Sequence, residues 1–188
     1  MRADNNPSGY YDRFLAAVEK ILNGEGYENV TIRKVCKEAG LAPGTFYRYF
    51  SGKNELLSAR LDEDNSTRAQ YLEGRLQGLS SVQKVFFFSR YYAEMNYEAE
   101  PGFHLVMFTP MENWHRKKQP LLDLLMDIFA DGQKNGEVKD HIRADELAVL
   151  FLDVLRGCIH CWCVQHRSFD LRDRIEKITR VFMHSFAC

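Results

Sequence analysis

The chain has 188 residues, 45% of them hydrophobic and 13% aromatic, with a formal net charge of −1. That composition supports a packed core and excludes a disordered chain. The near-zero charge excludes a general attraction to polyanions, so any nucleic-acid binding must come from a local patch.

The N-terminus (MRADNNPSGYYD) is polar, with no apolar signal core. No unbroken run approaches the roughly 18 apolar residues of a membrane helix. Five cysteines, an odd number with three inside six residues, argue against a disulfide framework and for a reducing compartment. The expectation is a cytoplasmic protein with no membrane partner.

Helical spacing dominates the chain, and sustained strand alternation is absent from it. Ser8 is placed to cap a first helix with the stripe Phe14, Ala17, Val18, Ile21 and Leu22, ended by Gly24 and Gly26. Thr31 can cap a short second helix that turns Ile32, Val35, Cys36 and Ala39 inward and closes at Gly40. Pro43 opens a third helix to about Phe50, because its missing N–H would have no partner in a first turn anyway. After Ser51-Gly52, a fourth runs from about Asn54 to Arg75.

Further helices are expected over Val82–Asn96, over Phe103–His115 with a break at Thr109-Pro110, and over Pro120–Lys134. Asp145 to about Gln165 reads as a long helix, apolar at 147, 148, 151, 154, 155, 158, 159 and 162. Leu171–Phe186 is the last, with the stripe Leu171, Ile175, Ile178, Phe182 and Ser185. About nine helices make the fold all-α, with domains over 1–53 and 54–188.

Two short helices joined by a Gly-containing turn describe a helix-turn-helix. Gly40 permits the positive φ of a sharp corner, and Leu41 can fill the gap between the helices. Phe46 and Phe50 share a face and pack inward. Thr45, Tyr47, Arg48 and Tyr49 are left outward, a set suited to a major groove: Arg bonds guanine, the Thr methyl meets a thymine methyl, and Tyr hydroxyls reach phosphates or bases. Around them, Thr31–Lys53 carries five cations (Arg33, Lys34, Lys37, Arg48, Lys53) against one anion, Glu38.

The run TIRKVCKEAGLAPGTFYRYFSGKNELL, with Gly24-Glu25-Gly26-Tyr27 before it, resembles the DNA-binding signature of the TetR family of bacterial transcriptional regulators over about residues 10–60. Asn135-Gly136-Glu137, Ala144–Ala148 and Arg156-Gly157 resemble that family's penultimate long helix and its lead-in. The resemblance implies phosphate contacts from Thr31, Arg33 and Lys53, and a recognition helix with Gly44, Thr45, Tyr47, Arg48 and Tyr49. It also implies a C-terminal domain, dimerised through its last two helices (about 145–165 and 171–186), that encloses a small-molecule pocket. Two departures stand out. Ala42-Pro43 replaces a polar pair such as Ser-Lys, removing a side-chain cap and a cation, and Arg48 stands where an aromatic is frequent.

Composition marks the pocket: Phe88, Tyr91, Tyr92, Met95, Phe103, Met107, Phe108, Trp114 and Phe129 are dense in aromatics and methionine, which line adaptable apolar cavities. His104, Glu112 and His115 are candidates for its polar contacts. The 145–165 helix is apolar nearly all round, so it needs two buried sides, and a C₂ dimer supplies the second. Such a dimer sets two recognition helices about 34–36 Å apart on a palindromic operator. The expected function is a DNA-binding regulator, a repressor released by a hydrophobic or aromatic effector, with no cofactor and no catalytic role.

Two rival readings concern other chemistry. Cys158, Cys161 and Cys163, with His160 and His166, form pairs three apart on one helix, feasible for Zn²⁺, Cu⁺ or oxidation. They lie on different faces, so a second chain would have to complete a tetrahedral site. Glu112-Asn-Trp-His115 is half of a di-iron pattern without its second half, and no other catalytic motif occurs, which leaves a non-DNA-binding helical protein or enzyme as the weakest reading.

Overall fold

The computed structural model describes residues 7–98 and 119–188. Among these the chain is all-α, with α1 Pro7–Glu25, a 3₁₀ turn Tyr27–Asn29, α2 Ile32–Ala39, α3 Pro43–Phe46, α4 Lys53–Arg75, α5 Ser81–Glu98, α6 Pro120–Lys134, α7 Ala144–Val164 and α8 Leu171–Phe186. The one β-type pairing among them is an isolated bridge between Val138 and Ala187. Two compact units divide these residues, 7–64 and 65–98 with 119–188, so α4 contributes to both.

In the first unit all five residues of the expected α1 stripe are buried, from Phe14 at 0% exposed to Leu22 at 8%. They meet Val35, Phe46, Phe50, Leu56 and Leu57 in one apolar cluster. Helix α1 begins at Pro7, which puts Ser8 inside it rather than at its cap, and it runs to Glu25 before Gly26 takes φ 81°. Thr31 caps α2 as expected, its hydroxyl accepting the Lys34 N–H at 3.3 Å. Gly40 ends α2 in the left-handed region at φ 63°.

The second unit is a bundle in which α7 lies against α6 and α8, and α5 against α6 and α8. Its core includes Leu72, Val85, Phe88, Leu125, Phe129, Leu147, Phe151, Leu155, Ile159, Trp162, Leu171 and Ile175. The Asn135-Gly136-Glu137 turn ties it together. Gly136 takes φ 72°, and the Glu137 carboxylate accepts the N–H of Ser81 at 2.6 Å, capping the distant helix α5. At the other end, the Trp162 indole N–H donates to the Phe169 carbonyl at 2.9 Å, closing the α7–α8 connection.

Two stripes differ from expectation. On α7, Val154 is 44% exposed while Leu152 is buried at 2%; on α8, Ser185 is exposed while Thr179 and Met183 are buried. A helix apolar all round does not disclose which face its own chain covers. By length and composition α7 is also long and apolar enough to cross a membrane, which an unbroken-run criterion missed because Asp153 and Arg156 interrupt it. Here one face of it is core.

Candidate nucleic-acid interface

The helix expected over Pro43 to about Phe50 is shorter than the sequence implies. Helix α3 ends at Phe46, and Tyr47–Tyr49 continue as tight turns, with Arg48 N–H on Thr45 O at 3.2 Å and Tyr49 N–H on Phe46 O at 3.0 Å. The switch to i→i+3 bonding tightens the spiral. Pro43 occupies the first helical position, and Ala42 offers no side-chain cap.

Phe46 and Phe50 are driven inward, at 0% and 2% exposed. Phe14 meets Phe46 edge-to-face at 5.4 Å and Phe50 at 6.0 Å, and Tyr11 stacks on Phe50 at 5.3 Å. With those rings anchored, Tyr47 is left 59% exposed and Arg48 points to solvent beside it. Thr45 and Tyr49 are half-buried, and Tyr49 packs at 6.2 Å on Phe14. Gly44 is exposed, with open space where a Cβ would stand.

The cations divide by their surroundings. Lys34 pairs with Glu25. Lys53 is half-buried, donating to the Tyr27 carbonyl at 3.2 Å with its ammonium 4.0 Å from the Tyr27 ring centroid. Arg33, Lys37 and Arg48 are exposed and make no ion pair among the described residues. Thr31 is exposed as well, its hydroxyl already accepting a backbone bond. Arg13 was not foreseen: its guanidinium donates to the Ala39 carbonyl at 2.5 Å and so satisfies the C-terminal end of α2.

The second unit presents different chemistry. Of the expected pocket set, Phe88, Tyr92 and Phe129 are buried, whereas Tyr91 and Met95 are half-buried. Phe103, Met107, Phe108 and Trp114 lie outside the described residues, as do His104, Glu112 and His115. A separate cleft of about 230 Å³ combines the charged Glu73, Lys84, Asp127 and Asp131 and the amide Gln77 with aliphatic Leu76, Leu124 and Ile128, a lining without aromatic rings.

The cysteines of the rival thiol reading differ in their surroundings. Cys158 is buried, Cys161 exposed and Cys163 half-buried, and among the described residues no three His, Cys, Asp or Glu side chains are placed to hold a metal ion. Burial raises the Cys158 and Cys163 thiols above the ordinary cysteine value, which lowers their thiolate fraction. An apolar seam runs along the outer face of α7: Leu150, Val154, Gly157, Cys161 and Val164 are all exposed, at alternating steps of four and three residues. Val181, 72% exposed, stands on α8.

Comparison with known proteins agrees with this geometry. Residues 14–59 match the family model described as bacterial regulatory proteins, tetR family. An uncharacterized HTH-type transcriptional regulator of Bacillus subtilis, YvdT, is 28% identical over 158 residues, covering 80% of each chain. The crystal structure of Thermus thermophilus FadR, a TetR-family transcriptional repressor in complex with lauroyl-CoA, superposes with a TM-score of 0.80 at 21% identity, covering 92% of this chain and 93% of the other. RolR in complex with resorcinol superposes at 0.76 and 19% identity, covering 96% and 88%. Residues 14–59 thus carry the signature of the tetR family of bacterial regulatory proteins, and the chain shares the fold of Thermus thermophilus FadR, a TetR-family repressor.

Proposed function

We propose that this regulator is a repressor that binds a palindromic operator as a homodimer and leaves it when a small, largely hydrophobic or aromatic effector binds. The reading gives residues 1–53 the DNA contacts and residues 54–188 effector binding and dimerisation. The observation that carries it is the division within one short segment: Phe46 and Phe50 buried, Tyr47 and Arg48 presented to solvent. Arg48 is the base-reading side chain, Tyr47 and Thr45 its neighbours in the groove, and Arg33 and Thr31 hold phosphates. Lys53, its ammonium oriented by the Tyr27 carbonyl and ring, contacts a further phosphate, and Gly44, with no side chain, lets the DNA backbone approach closely.

The seam on α7 supports the dimer. Its four-and-three spacing is that of helices packed side by side, and Gly157 leaves room for a partner helix to come near. Two copies related by a two-fold axis cover Leu150, Val154 and Val181 and present two recognition segments to successive major grooves. The buried Phe88, Tyr92 and Phe129 and the half-buried Met95 support an apolar effector, as does the company of fold relatives bound to lauroyl-CoA and resorcinol. Release requires the effector to favour the DNA-incompetent state, since equal affinity for both states shifts nothing. Sedimentation of the protein alone and with a cognate duplex tests the arrangement. A dimer binding one duplex is expected, and a monomer in both samples would overturn it.

A further inference from the structure

The cleft of about 230 Å³ lies wholly within the second unit, where the end of α4, the first turn of α5 and one side of α6 meet. The end of α4 and the turn after it supply Glu73, Leu76 and Gln77, and α5 supplies Lys84. Helix α6 supplies Leu124, Asp127, Ile128 and Asp131, whose steps of three, one and three put them on one helical face. Leu76, Leu124 and Ile128 are buried and form an aliphatic floor. Around it Glu73, Gln77, Asp127 and Asp131 are exposed and Lys84 is half-buried.

Among the described residues, none of these four charged side chains makes an ion pair or hydrogen bond. Three carboxylates therefore share one opening with a single ammonium that lies beyond ion-pair distance of each. Asp127 and Asp131 are also four apart on α6, a like-charge spacing that destabilises a helix, so stability gives no reason for the arrangement. Nor do the carboxylates converge on a point, since among the described residues no three His, Cys, Asp or Glu side chains are placed to hold a metal ion. What they surround is apolar surface.

We infer that this cleft binds a linear aliphatic diamine or polyamine, with its methylenes on Leu76, Leu124 and Ile128 and its ammonium groups on Glu73, Asp127 and Asp131. Separated positive charges on an apolar chain match separated carboxylates around an apolar floor, which a compact metal ion does not. The volume is below the roughly 300–1,000 Å³ of pockets for drug-sized ligands, and so suits a short chain. Lys84 repels a further ammonium and limits how far toward α5 the ligand's charges extend. The site shares no residue with the aromatic effector set and stands independently of that reading.

Calorimetric titration of the full chain tests it with 1,5-diaminopentane, spermidine, pentylamine, 1,5-pentanediol and magnesium chloride, at about 0.1 M salt to screen distant charges. The diamine is expected to bind about threefold to tenfold more tightly than pentylamine, spermidine at least as tightly as the diamine, and the diol and magnesium weakest. Asp127→Asn and Asp131→Asn together should weaken diamine binding about tenfold. Asn keeps the shape of each carboxylate, and an unfolding midpoint that does not fall shows the fold is kept. Glu28→Gln, exposed in the first unit, should change nothing. Pentylamine, diol or magnesium binding as tightly as the diamine would overturn the inference. So would diamine binding that survives the double substitution, an equal loss from Glu28→Gln, or binding of no probe.

Discussion

Phe14 on α1 and Phe46 on α3 meet edge-to-face, their ring centroids 5.4 Å apart at 84°. This contact fixes the rotation of the 43–50 segment, because burying Phe46 obliges the next two side chains to face outward. Phe46→Ala should therefore cost about 3–5 kcal/mol of unfolding free energy. Tyr47→Ala, one residue on and 59% exposed, should change stability by no more than about 0.5 kcal/mol. Urea denaturation of the two variants checks the contrast, and equal losses would mean that Tyr47 is a packing residue.

Arg48→Ala should weaken binding to a cognate duplex by about 1–3 kcal/mol and relax preference at one base pair. Arg33→Ala should weaken cognate and random duplexes alike and lower the salt slope by about one. Anisotropy titrations on both duplexes across a salt series separate these outcomes. A uniform loss from Arg48→Ala would reassign it to phosphate.

The α6–α7 turn should be intolerant of small changes. A Cβ at Gly132 would stand 2.7 Å from Val138 Cγ2 and 2.9 Å from Ser81 Cβ, so Gly132→Ala should destabilise by about 1–3 kcal/mol. Glu137→Ala removes the carboxylate that accepts the Ser81 N–H, at a cost of about 0.5–2 kcal/mol. Both effects are read from denaturation midpoints, and a loss of α5 helicity should accompany the second.

Val154→Glu places a charge in the α7 seam and should convert a dimer to monomer by sedimentation. Cys161, in the same seam, should react slowly with maleimide in the parent dimer and quickly in the variant, while exposed Cys188 reacts quickly in both. Buried Cys36, its thiol raised by burial, should react only on unfolding. Unchanged Cys161 reactivity would place the interface elsewhere.

Local periodicity made most of the fold legible. The α1 stripe, the Thr31 cap, the left-handed Gly40 and the Pro43 start depend on neighbours a few residues apart, which a sequence displays directly. The same holds for the inward Phe46 and Phe50. What was hidden involves distant partners or ambiguous faces. Arg13 on the end of α2, Glu137 on the start of α5 and Tyr92 against Arg156 join residues that no spacing rule connects. Helix α3 ends at Phe46 rather than Phe50, because aromatic spacing alone does not distinguish an α-turn from the tighter turns at Tyr47–Tyr49. On α7, Leu152 and Val154 are equally apolar, and only the packing of α6 and α8 decides which is covered.

The most direct test of DNA recognition by the helix-turn-helix is selection of bound sequences from random duplexes at two salt concentrations. The expected result is a single enriched palindrome whose half-sites lie about one DNA turn apart and whose affinity falls steeply with salt. Failure to enrich any sequence at either salt, with protein shown by native mass spectrometry to carry no bound ligand, would contradict it.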